Sequence, residues 1–268
     1  MKGTNNMENN QFNNANETAN VTNGYTKIDF YTTKKFMGSP ILLVLAILYT
    51  VYALMVFLTT TVTSIKGGTN DAFFGGLIPL MQMALLVITT IALWLIWSAG
   101  RNVIQTSATG IGLLKVIALI MQILCWVGAG YLYLRVAISG GYRYQYNTDL
   151  YTMETTLLLF FVDLLLLAAG AIFFIFLDKV LKQFLIILKK GEAEWRFTKP
   201  ASVFAFIAAA FHLIRLGVIL STWNTPLYNY TESFVNFNNP LFQTISLGIL
   251  TIVYIFVGIT CLMWKPKK

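Results

Sequence analysis

Five side chains that carry charge or strong hydrogen-bonding groups interrupt stretches that are otherwise apolar: Gln82, Gln122, Asp163, His212 and Arg215. Asp163 and His212 can exchange protons, Arg215 can hold a carboxylate or another anion, and the two glutamines can donate and accept hydrogen bonds. His212 is the sole histidine and stands one helical turn before Arg215 in the stretch "FHLIRLG". Such a set suits either of two roles. One is a polar site or conduction path with Asp163 and His212 as proton-sensitive members; the other is a structural network that ties helices together.

The elements that must position these groups follow from hydropathy. Of the 268 residues, 57% are hydrophobic and only 11% charged, where a soluble domain carries roughly 25% charged residues. The chain therefore belongs in a bilayer. About 20 apolar residues cross ~30 Å of hydrocarbon, and windows of that length recur at 41–63, 74–97, 111–134, 155–177, 201–221 and 240–264. Lipid offers no partner to unpaired backbone groups, and no ten-residue alternation marks a membrane barrel, so each window is expected to be a helix. The sequence predicts an all-α integral membrane protein with six transmembrane helices in one domain over 37–268. The first apolar run follows a long polar stretch and is too long for a signal-peptide core, so no cleaved secretory signal is expected.

Basic residues set the orientation. With both ends cytoplasmic, fourteen lysines and arginines fall on the inner side and only Lys66, Arg135 and Arg143 on the outer, which satisfies the positive-inside rule. The net charge of +8 is then explained by topology and by attraction to anionic inner-leaflet lipids, with no nucleic-acid partner required. Counting ~1.5 Å per residue from the outer ends places Arg215 roughly 9 Å deep, His212 roughly 13 Å, and Asp163, Gln82 and Gln122 each about 12 Å. Four helices thus offer a polar group at one level, and an Asp163–Arg215 ion pair between consecutive spans 4 and 5 is geometrically available.

Residues 1–24 hold nine asparagines and little that could form a core, so they read as a disordered cytoplasmic tail. The juxtamembrane stretch to residue 36, "YTKIDFYTTKKF", has the aromatic and basic mixture of a headgroup anchor. Span 4 runs on without a break through "LDKVLKQFLIILKKG". Placing the crossing at 155–177 leaves 178–190 as an amphipathic extension on the cytoplasmic side. Lys179, Lys182, Lys189 and Lys190 then share one face, opposite Val180, Leu181, Phe184, Leu185 and Leu188. That face is a candidate contact for the inner leaflet or for a protein partner. Gly191 should cap this helix, and Pro200 should lie in the first turn of the next. The outer loops before spans 4 and 6 are rich in Tyr and Asn, as interfacial belts are.

Catalytic signatures are missing. One histidine permits no two-histidine metal centre, and Cys125 and Cys261 stand alone within spans, where they read as small buried hydrophobes. There is no GxSxG, Walker A or GxGxxG, so no enzyme activity, cofactor or metal is expected.

The segments "SPILLVLAILYTV", "LWLIWSAG" with "TGIGLLKVIALI", and "LKQFLIILKKGEAE" resemble a loose group of multi-spanning membrane proteins of Firmicutes, chiefly clostridia, that carries no assigned activity. The resemblance covers about the first 210 residues and implies a bacterial cytoplasmic membrane. Members of that group often carry a cysteine-rich zinc ribbon ahead of the first span; this chain has the Asn-rich tail there instead. Together the readings favour a non-catalytic interaction or regulatory subunit embedded in the cell membrane, with a membrane or cytoplasmic protein as possible partner. The alternative is a small transporter or ABC-type permease subunit with a polar site in the outer half of the bundle.

Overall fold

The computed structural model describes residues 27–66, 72–101, 108–139, 153–222 and 240–264. Each of the six apolar windows lies in a helix long and apolar enough to cross a membrane. These are α2 (Pro40–Lys66), α3 (Ala72–Arg101), α4 (Thr109–Ser139), α5 (Met153–Lys190), α6 (Thr198–Thr222) and α7 (Pro240–Met263), preceded by a short helix α1 (Phe30–Met37). An even number of crossings brings Lys27 and Trp264 to one end of the bundle. The protein is a multi-pass membrane protein, and large apolar side chains such as Phe57, Ile91, Ile123, Phe161, Ile214 and Ile252 are exposed on all six helices. Water does not tolerate so much contiguous apolar surface, whereas lipid does.

Each spanning helix packs on its sequence neighbours, and α7 returns to α2, which closes the set into a ring. Small residues make the close approaches. A Cβ on Gly110 of α4 would lie 2.7 Å from Ala92 O of α3, and one on Gly100 of α3 would lie 2.1 Å from Gly38 N just after α1. On α6, Ala201, Ala205 and Ala208 are fully buried, and Ser202 Oγ donates to Gly258 O of α7 at 2.8 Å. This is small-residue packing of the kind that lets helix backbones meet in lipid.

The end carrying Lys27 and Trp264 holds a folded cap absent from the sequence expectation. Strand β1 (Lys27–Asp29) pairs antiparallel with β2 (Glu192–Glu194), which puts Ile28 opposite Ala193. Asp29 then caps α1 by accepting from Thr32 N–H at 3.1 Å. Residues 27–36 of the juxtamembrane segment are therefore a strand and a helix, whereas the tail read as disordered, 1–24, lies outside the described residues. Gly191 closes α5 with φ +86° and donates its N–H to Ile187 O, and Pro200 lies in the first turn of α6, both as expected.

Gly100→Ala forces backbone against backbone, so it should lower stability by about 2 to 3 kcal/mol. Gly112→Ala, whose Cβ would meet nothing within 4 Å, is the control. Unfolding of the two purified variants in detergent measures the difference, and equal midpoints would refute the packing.

Candidate functional site

Two groupings of polar and charged side chains stand out, one inside the distal half of the ring and one at the sheet-bearing end. In the first, depth counting locates its partners correctly for α5 and α6. Arg215 Nη1 stands 3.5 Å from Asp163 Oδ1, with the aspartate side chain 15% exposed and the arginine 41%. The separation makes this an ion pair rather than a close hydrogen bond. His212, one turn earlier, is buried, and its ring stacks on Tyr254 of α7 with centroids 5.3 Å apart. Its Nδ1 has no hydrogen-bond partner among the described residues.

The two glutamines are placed differently. Gln82 is exposed in a stretch of α3 where Leu80 and Met81 are exposed as well, and Gln122 is half-buried without a hydrogen bond to a described residue. Equal depth gives equal height on two helices and says nothing of the direction each side chain faces. Three of the five expected members therefore converge, and the layer does not extend to α3 or α4 through the glutamines.

A second polar layer, deeper in the ring, was missed because its members are tyrosines inside apolar text. Tyr254 of α7 lies within electrostatic reach of Tyr49 and Tyr52 of α2 and of Cys125 of α4, and its ring packs edge-on against Phe173 of α5 at 5.6 Å. Thr89 of α3 donates its hydroxyl to Leu85 O at 2.7 Å, and its side chain lies beside Tyr49 of α2. Next to them Trp94 Nε1–H donates to Thr50 Oγ1 at 3.0 Å. The available signal was position. Tyrosine concentrates at membrane interfaces, so three tyrosines at mid-span demand partners for their hydroxyls inside the bundle. Cys125 and Cys261 are free and buried as expected, with Cys125 Sγ set against Gly170.

At the other end, α5 continues unbroken to Lys190. Lys179, Lys182, Lys189 and Lys190 are exposed, whereas Val180, Leu181 and Phe184 are buried, so the helical-wheel division holds. The apolar side is covered by the chain itself. Phe184 meets Trp195 at 4.9 Å and Trp264 at 5.3 Å, and Trp264 meets Phe36 at 3.9 Å. Gln183 fastens the turn to the helix: its Nε2 donates to Glu194 O at 2.9 Å and its Oε1 accepts from Arg196 N–H at 3.1 Å. Ion pairs Lys27–Glu192 at 3.3 Å and Arg196–Glu194 complete the cap. Lys179 also lies over the rings of Phe197, at 5.0 Å, and Phe176. Phe197 itself adopts φ 69°, a strained conformation for a bulky residue, held by its stack on Phe176.

Comparison with protein families, with curated proteins and with solved structures yields no match.

Asp163→Asn and Arg215→Gln should each destabilise the purified protein, and the double variant should lose less than the two losses added. The coupling expected is roughly 0.5 to 1 kcal/mol, at the lower end for contacting pairs because Arg215 is only partly buried. Additive losses would sink the pairing.

Proposed function

We propose that this multi-pass membrane protein is a non-catalytic interaction or regulatory subunit of a bacterial cytoplasmic membrane, with its sheet-bearing end toward the cytoplasm. One observation carries this reading. The extension of α5 packs its apolar side against Phe36, Trp195 and Trp264, and its exposed residues are the four lysines. A helix laid on a leaflet would turn its apolar side to lipid; here that side is occupied.

Height then separates the lysines by role. Lys179 and Lys182 follow the crossing directly and sit at the headgroup layer, where each gains roughly 1 kcal/mol from anionic lipid. Lys189 and Lys190 stand ~11 to 12 Å further along the helix than Lys182, beyond the ~8 Å over which salt screens the leaflet's charge. Their counterpart is an acidic surface on a protein. The positive-inside balance and the resemblance to the clostridial group support the orientation and the membrane assigned here. A small transporter or permease subunit with a polar site in the outer half of the bundle is the alternative.

Photo-crosslinking in cells tests it. A photoreactive residue at position 189 should capture one protein as a discrete adduct, and that adduct should vanish when Lys182, Lys189 and Lys190 are all changed to Glu while insertion persists. A residue at 179 should capture lipid. Lipid adducts alone at both positions would overturn the proposal.

A further inference from the structure

His212 is a buried titratable group that neither the cap nor the Asp163–Arg215 pair uses. It lies on the packing stripe of α6. Ala201, Ala205, Ala208 and His212 recur at helical spacing on that helix and all four are buried, so the imidazole occupies the position where the next small residue would meet α7. Tyr254 takes its ring face, and Nδ1 points to no partner among the described residues. A neutral imidazole has one acceptor nitrogen and one donor; a protonated one has two donors and a positive charge.

The groups around it define what a proton would do. On its own helix, Arg215 stands one turn away and within electrostatic reach. Arg215 in turn pairs with Asp163, the charged group of α5, at 3.5 Å. On α7 the facing group is Tyr254, and behind it lie Tyr49 and Tyr52 of α2 and Cys125 of α4, all phenols and a thiol that bear no charge at neutral pH. A proton on His212 therefore sets two cations against one carboxylate, in a surround that excludes water.

We propose that His212 is a proton-binding site whose occupation loosens the packing of α6 against α5 and α7. The imidazolium repels Arg215 one turn away, and its buried Nδ1–H donor has no acceptor among the described residues, so the stack on Tyr254 gives way. The distal half of the ring, where these groups lie, thereby responds to acidification, while the cap at the other end holds no histidine and keeps its packing. The proposal is independent of the partner-binding role.

The chain's single histidine makes the test clean, because imidazole is the side chain whose ordinary charge change falls between pH 5 and 8. Unfolding midpoints of the full chain in detergent should fall by several degrees from pH 8 to pH 5. His212→Gln, which keeps polarity and loses titration, should flatten that dependence, whereas Asp163→Asn should lower the midpoint at pH 8 and steepen the fall. Equal slopes in His212→Gln and the unsubstituted protein, or a midpoint constant with pH, would overturn the proposal. Should His212→Gln fail to fold, histidine labelled with carbon-13 gives a single ring signal in the unsubstituted chain. That signal should move in step with the midpoint; a ring that titrates while the midpoint stays fixed overturns the proposal as well.

Discussion

The meeting of α6 with α7 depends on the absence of bulk along one stripe of α6. Alanines at 201, 205 and 208 let the two backbones approach, and Ser202 takes up a carbonyl of α7 at Gly258. In lipid no hydrophobic force draws helices together, so packing of this kind and buried polar contacts supply what water would otherwise provide. Once α7 is held there, its opposite side reaches α2 and closes the ring. The same stripe ends in His212 and Arg215, so the contact that closes the ring also places the charged groups where α5 and α7 must answer them.

The two ends of the bundle are held by different means. At the sheet-bearing end, four aromatic rings, a two-stranded pairing and the Gln183 clamp join segments from the start, middle and end of the described chain. Aromatic edge contacts add roughly 0.5 to 1.5 kcal/mol each beyond the area they bury, and the strands are tied to helices that cannot move independently. In the distal half the described polar contacts include the pair of Asp163 with Arg215 and the stack of His212 on Tyr254. The ion pairs of the cap are exposed or half-exposed, whereas the distal pair includes the largely buried Asp163, so charge weighs more at the distal end.

The sequence announced the spans because hydrocarbon thickness sets a length, and length is legible without knowing any contact. It also yielded the Asp163–Arg215 pair, since consecutive helices run antiparallel and equal depth on neighbours brings side chains close. The glutamines show where depth stops helping: Gln82 is exposed and Gln122 half-buried, and neither joins the pair of Asp163 with Arg215. Azimuth is weakly written in helices that are apolar on every side, because they lack the contrast between an apolar stripe and a polar face that orients a soluble helix. The cap was illegible for another reason. Strands of three residues carry no alternation, and their partners lie 165 positions apart for Lys27 and Glu192. Trp195 and Trp264 stand 69 positions apart, and only the tertiary fold brings one ring against the other.

The extension of α5 shows how one local pattern can serve two surfaces. Its amphipathic division is correctly read from the helical wheel, yet the pattern alone does not say which phase meets the apolar side. Here that side faces protein, because β1 and α1 fold back over it and Trp264 reaches it from the last span. The basic side is thereby held at a fixed angle to the bundle by buried rings instead of by loose attachment to lipid. An extension braced in this way holds Lys189 and Lys190 exposed at a fixed place on the bundle, and a rigid projection has less freedom to lose than a segment that must order first. The bracing of the cap and the reach of its lysines are consequences of the same aromatic packing.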